Sequence, residues 1–202
     1  LSALMSDLEK FANDEMLNIP DLIKIAIIHY QFETIHPFLD GNGRVGRLLI
    51  TLYLVDKGIL KKPILYLSDY FERNTSLYYD NLMRVRTHND INQWLKFFLN
   101  GVIETSKKGV TTFDAIMQLE KMTEQKLKDA GVRSLDAMKV VKVMYNKPII
   151  NIQDVVNIIE KSTNTAYKTI SLLEDLKILK EITGAQRGKL YLFEDYVQLF
   201  EN

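Results

Sequence analysis

Residues 21–35, DLIKIAIIHYQFETI, are apolar on nearly every side. A helix of that kind has no face to give to water, so it belongs in the middle of a bundle. Pro20 and Asp21 supply its start. Pro37 stops it, because a proline disfavours helical geometry in the residue before it and pushes His36 out at the helix end. After a tight DGNG loop, RVGRLLITLYLVDKG resumes as a second apolar helix ending near Gly58. The polar stretch IHPFLDGNGRVGRLL, residues 35–49, is therefore a helix-loop-helix connection inside an otherwise greasy core.

The rest of the chain fits a mainly α protein. LSALMSDLEKF has apolar residues at 1, 4, 5, 8 and 11, the spacing of a helix face. ILYLSDYFERNTSLYYDNLMRVRTHND reads as one or two helices with an aromatic face, and INQWLKFFLNGVIETSKKG as another whose Trp94, Phe97 and Phe98 pack inward. TFDAIMQLEKMTEQKLKDA, within residues 111–133, reads as an amphipathic connector helix, with a domain boundary at Gly131 to Ser134. Beyond it the rhythm changes. LDAMKVVKVMY, NIQDVVNIIEKS and TNTAYKTISLLEDLKI are predicted helices, and LKEITGAQRGKLYLF has two strand-like runs around a glycine-bounded turn. Three helices and a hairpin give a winged helix-turn-helix over residues 134–202, after a helical core over residues 1–110.

Composition narrows the function classes. Lys plus Arg equals Asp plus Glu at 26 each, so whole-molecule charge points neither to nucleic acid nor to an anionic membrane. There is no cysteine, which excludes disulfides, thiol nucleophiles and thiolate metal sites and fits a reducing compartment. No apolar run approaches the roughly 20 residues needed to span a bilayer, and no signal peptide is visible, so we read the chain as cytoplasmic and without a membrane partner. It starts at Leu1 inside a helical pattern and is expected to begin partway through a longer protein.

Each residue type in the 36–47 stretch has a use around a nucleotide phosphate. Glycines let backbone N–H groups approach an anion, and the helix starting near Gly43 adds the positive end of its dipole. Arg44 and Arg47 lie three apart on one helix face, where both guanidiniums can clamp phosphate oxygens. Asp40 offers the hard carboxylate that magnesium prefers when it also holds phosphates. His36 is the best candidate general base, able to take a proton from a hydroxyl near neutral pH. Taken singly, each has an ordinary structural explanation: DG and NG are common turn dipeptides, and arginines at a helix start usually face water. Their conjunction within twelve residues favours a site that activates a hydroxyl beside a magnesium-bound nucleoside triphosphate.

That conjunction also resembles a known motif. His36, Pro37, Phe38, Asp40, Gly41, Asn42, Gly43, Arg44 and Arg47 match position by position the HPFx(D/E)GNGRxxR motif of Fic domain proteins, and flanking helices extend the likeness over roughly residues 1 to 105. The resemblance implies a Fic-type helical bundle and transfer of AMP from ATP to a Ser, Thr or Tyr hydroxyl of a target protein. In that reading His36 deprotonates the hydroxyl, Asp40 holds magnesium on the α- and β-phosphates, Gly41, Asn42 and Gly43 form the anion hole, and Arg44 and Arg47 bind the outer phosphates. Removal of AMP by the same site stays open. Doc-type kinases of the superfamily carry a bulkier, lysine-containing loop, so GNGR favours AMP transfer over phosphorylation. YFERNTSLYY resembles the family's nucleotide-side helix, placing Asn74, and more weakly Tyr70, near the adenosine. The plainer alternatives are that Asn74 caps a helix and that at least two of Tyr70, Tyr78 and Tyr79 fill core.

Many family members are restrained by an (S/T)xxxE(G/N) helix whose glutamate pairs with the second motif arginine, here Arg47. Ser68 to Glu72 has the spacing but is followed by Arg73, so it is not accepted as that helix. The inhibitory helix and the family's target-docking hairpin are expected upstream of Leu1. For the C-terminal domain the rival reading is a nucleotide-sensing, DNA-binding transcription regulator, with TNTAYKTISLLEDL as recognition helix and Lys168, Arg187 and Lys189 as a local patch. From Ser134 onward there are nine Lys or Arg against nine Asp or Glu. A neutral domain neutralises few phosphates, so protein docking or homodimerisation ranks above DNA contact.

Overall fold

In the computed structural model, which describes residues 1–131 and 134–200, the two apolar segments are helices at the centre of the first unit. Helix α1 is Ser2–Asn13, α2 is Asp21–Ile35 and α3 is Asn42–Asp56. Pro20 occupies the N-cap of α2, and Gly58 adopts φ +69° just past α3, a left-handed conformation suited to glycine. Ile25, Ile28, Phe32, Ile50 and Leu54 are all sealed from solvent. Tyr53 on α3 donates through its hydroxyl to Asp21 Oδ1 at 2.8 Å, tying the end of one helix to the start of the other. The one lysine buried in α2, Lys24, donates to the Asp14 carbonyl at 2.8 Å and lies over the Phe11 ring, so neither its charge nor its stem is wasted in the core.

The aromatic segment forms two helices, α4 (Leu67–Arg73) and α5 (Thr75–His88), divided at Asn74. Then α6 runs without a break from Ile91 to Asp129, 39 residues. A helix ending near Gly109 and a separate connector were expected; the structure has one helix instead. Gly109 has nothing within 4 Å of where its Cβ would stand, and it is not among the positive-φ glycines. It is an exposed helix-interior residue, which weakens a helix only modestly and does not end it. Trp94, Phe97 and Phe98 at the start of α6 join the first core, and the Trp94 indole N–H donates to the Ala26 carbonyl at 2.9 Å.

By compactness the chain divides into Leu1–Val110 and Thr111–Asn202, a division that falls within α6. The boundary expected at Gly131 to Ser134 lies partly outside the described residues. The second unit continues with α7 (Ser134–Met144), β1 (Ile149–Asn151), α8 (Ile152–Ile159), α9 (Thr163–Asp175), β2 (Lys180–Glu181), β3 (Leu190–Leu192) and α10 (Glu194–Gln198). Its antiparallel sheet has the order β1-β3-β2, with Ile150 opposite Tyr191 and Tyr191 opposite Glu181. The hairpin β2–β3 was legible; β1 and α10 were not. Leu127, Val140, Met144, Ile150, Val155, Ile170, Leu173 and Phe193 make a separate core. Helix α8 begins with a reciprocal cap: the Asn151 side chain accepts from the Asp154 N–H, and the Asp154 carboxylate accepts from the Asn151 N–H. Among the described residues no helix is long and apolar enough to cross a membrane.

Candidate functional site

The turn between α2 and α3 sets the site. His36 caps α2 in the left-handed region, φ 51° and ψ 61°, with its N–H donating to the Phe32 carbonyl at 3.0 Å. Proline at 37 was expected to push His36 out at the helix end, and His36 does leave the helix there, its left-handed backbone turning the imidazole outward, where it is exposed. Gly41, φ +83°, makes the second reversal and serves as N-cap of α3. Asn42, the first residue of α3, is buried, accepting from the Phe38 N–H at 2.8 Å and donating to the Phe38 carbonyl at 2.6 Å. The Asn42 side chain thus locks the loop, and the backbone N–H groups of the first turn of α3 are of the kind that can receive an anion.

Arg44 and Arg47 differ sharply in setting. The exposed Arg44 pairs with the exposed Asp40 at 3.2 Å, one turn apart. The Arg47 guanidinium folds back over the first turn, so close to Gly43 that a Cβ there would stand 3.0 Å from its Nη1. Two hollows open here. The larger, about 540 Å³, is lined by Arg44, Arg47, Thr51, Ser68, Thr75 and the Phe71, Tyr78 and Tyr79 rings among others. The smaller, about 280 Å³, is lined by Glu33, His36, Gly43, Arg47, Tyr78, Tyr79 and Arg86 among others. Arg47, Tyr78 and Tyr79 border both. A base, two guanidiniums and a helix start therefore face spaces that can take a polyphosphate on one side and a hydroxyl on the other.

Beneath the hollows sits His29, which the sequence reading passed over. It is fully buried; Nδ1 lies 3.0 Å from the Gly46 carbonyl and Nε2 3.0 Å from the Tyr78 hydroxyl. A carbonyl only accepts, so Nδ1 carries the proton and Nε2 accepts from Tyr78. The ring packs against Phe71 and Trp94, with centroids 5.7 and 5.9 Å away, those two rings being 6.5 Å from each other. Burial holds its pKa down to about 4, with the Gly46 bond opposing and the Arg47 charge reinforcing that shift. Burial likewise pushes the Tyr78 hydroxyl up, and the Glu33 carboxylate adds to it. Glu33 is half-buried. Burial raises its carboxyl above the usual range, against the pull of His36 and Arg47.

Asn74 does not join these residues. Its amide donates to the Tyr70 carbonyl at 2.9 Å, closing the junction of α4 and α5, and it is not among the residues lining either hollow. Asn74 takes the N-cap position of α5 without a side-chain capping bond to that helix, its amide being turned back to the end of α4. Tyr70 and Tyr78 are buried while Tyr79 is 64% exposed, so two of the three tyrosines do fill core. Tyr78 also lines the hollows; Glu33, Thr75 and Arg86 were missed altogether. Glu33 alone carried a signal, standing three residues before His36 on the same helix end.

As to metal, among the described residues no group of three or more His, Asp or Glu could hold an ion. The sequence-predicted ligand, Asp40, is an exposed carboxylate beside the start of α3 and is not among the residues lining either hollow. That donor set suits magnesium, which keeps several waters and binds through one or two carboxylates together with substrate phosphates.

Residues 1–54 match the model of the Fic/DOC family. A probable protein adenylyltransferase of Aquifex aeolicus, aq_aa38, is 58% identical over 41 residues, 20% of this chain and 13% of that protein. The protein adenylyltransferase fic-1 of Caenorhabditis elegans is 37% identical over 83 residues, 41% of this chain and 16% of its own length. The protein adenylyltransferase Fic of Drosophila erecta is 28% identical over 134 residues, 66% of this chain and 26% of that protein. The chain thus spans about a quarter or less of the length of these relatives. Among solved structures, a Fic family protein from Desulfovibrio desulfuricans G20 superposes with a TM-score of 0.52 at 20% identity, over 95% of this chain and 54% of that one, a likeness of fold. The matched segment carries the His36-to-Arg47 turn, and over residues 1–54 this chain is similar to the Fic/DOC family.

Proposed function

We propose that this protein transfers the AMP moiety of ATP to a Ser, Thr or Tyr hydroxyl of a target protein. The observation that carries the reading is that His36, Gly43 and Arg47 border one hollow while Arg44 and Arg47 border the next, so base and phosphate clamps share a wall. His36 takes the hydroxyl proton, the oxygen bonds to the α-phosphorus, and pyrophosphate leaves. Backbone N–H groups of Gly41, Asn42 and Gly43 receive the charge that develops on the phosphate. Arg44 and Arg47 hold the outer phosphates, and Asp40 would hold magnesium, which when bound neutralises phosphate charge. The names of the relatives, all adenylyltransferases, support this reading and lend none to a DNA-binding regulator. For the second unit we keep the winged helix-turn-helix reading over residues 134–202, serving protein docking or homodimerisation, and for the protein a cytoplasmic setting.

The test is incubation with magnesium, α-labelled ATP and cell lysate. Label should pass to lysate proteins with the intact protein and not with His36→Ala, and γ-labelled ATP should give none. Transfer no greater than that of His36→Ala would overturn the reading.

A further inference from the structure

We propose that Glu33 is a positioning residue for His36, its carboxylate forming the counter-charge to the imidazolium created when His36 accepts the hydroxyl proton. The inference rests on the AMP-transfer reading. Glu33 and His36 stand three apart at the end of α2 and line the same hollow. Oε1 of Glu33 is sealed from solvent and, among the described residues, has no hydrogen-bond partner. Folded proteins rarely leave such an atom unpaired, and where they do it wants an explanation. The chain also makes room for it: a Cβ on Gly46 would stand 2.5 Å from Oε1, so any side chain there would displace the carboxylate.

The neighbours on every side indicate what the carboxylate faces. From α3 comes Arg47, and from α5 come Tyr78 and Arg86. From α2 itself come His29 and His36. His29 is neutral, and the Tyr78 hydroxyl is engaged by His29, so neither serves Glu33. Burial works against the charged carboxylate, while His36 and Arg47 work for it. During transfer Arg47 is taken up by phosphate oxygens, which leaves the cation newly formed on His36. In that step the proton moves from the target hydroxyl to the imidazole, the oxygen–phosphorus bond forms and the bond to pyrophosphate breaks; Glu33 exchanges no atom and acts through its field.

Two measurements decide it. The side-chain carboxyl of Glu33, followed by carbon NMR, should titrate at a higher pH in His36→Asn than in the unaltered protein, because the favouring cation is gone. An unchanged midpoint would overturn the pairing. In kinetics, Glu33→Gln keeps the shape without the charge. It should lower kcat about tenfold, with KM for ATP within about twofold, the loss expected for one opposing charge in the transition state. A kcat equal to that of the unaltered protein would overturn the role in transfer. Should the unaltered protein transfer no AMP, the proposed function falls, while the titration, which needs no turnover, still upholds or overturns the pairing.

Discussion

The Tyr78 hydroxyl donates to Nε2 of His29 at 3.0 Å, while Nδ1 of the same ring donates to the Gly46 carbonyl. One imidazole therefore joins α2, α3 and α5 directly under the candidate site, and it must be neutral to do so. Its pKa falls from 6.5 to about 4 on folding. A lowered histidine means that the unfolded chain binds the proton first as pH falls. The stabilisation is whole above pH 6.5 and drains away toward pH 4. Between pH 7 and pH 5 the loss from this group is about 2 kcal/mol. Urea unfolding followed by Trp94 fluorescence should show it, and His29→Gln, though less stable at pH 7, should show a shallower slope across that window. Equal slopes would remove the assignment.

The Asn42 side chain makes two hydrogen bonds to the backbone of Phe38. Asn42→Ala removes both bonds to the part-buried Phe38 backbone and should cost about 1–2 kcal/mol. Because the loop also aims His36, AMP transfer should fall by about tenfold or more even well below the melting temperature. Asn42→Asp keeps the acceptor but opposes a carboxylate to the Phe38 carbonyl, so it should not rescue. Thermal melts and transfer assays check both, and full activity in Asn42→Ala contradicts the clamp.

Arg44 and Arg47 should separate in kinetics. Arg44→Ala breaks an exposed pair with Asp40, worth at most about 1 kcal/mol. Arg47 borders both hollows and should contribute more to binding and reaction. The expected order of loss in kcat/KM for ATP is Arg47→Ala above Arg44→Ala. The reverse order would mean that the phosphates lie nearer the solvent edge.

Gly101 in α6 packs against Tyr70: a Cβ there would stand 2.6 Å from Cδ1 and 2.8 Å from Cε1 of that buried ring. Gly101→Ala gains helix propensity but overfills the contact, for a net loss of about 1–3 kcal/mol. Pairing it with Tyr70→Leu should recover part of that loss, a non-additivity that a double-mutant cycle of unfolding free energies would reveal.

Much of the fold could be read because its signals are local. Pro20, Gly41 and Gly58 mark the ends of α2 and α3, and the His36-to-Arg47 turn is contiguous, so spacing alone gathers its residues. What escaped depends on distant partners. Strand β1 is three residues whose pairing with β3 lies some forty positions on, and Ile149 to Asn151 look like nothing before Leu190 to Leu192 are beside them. The wall that Tyr78, Tyr79 and Arg86 bring to the site exists only once α5 is held to α2 through Tyr78 and His29. Gly109 misled because exposure, not a turn, is what lets α6 keep a glycine. The bond from Asn74 back to the Tyr70 carbonyl likewise has no signature in the sequence around it.

The left-handed backbone of His36 also bears on how its chemistry can be isolated. Histidine already bears the Cβ cost of such a dihedral, about 1–2 kcal/mol relative to glycine, and alanine bears it with no polar side chain to offset it, whereas asparagine tolerates it through local hydrogen bonding. A dead His36→Ala protein therefore conflates a missing base with a relaxed loop, which could alter ATP affinity on its own account. His36→Asn removes the imidazole while preserving the bend, and is the cleaner silent control wherever occupancy of the site, not turnover, is being measured.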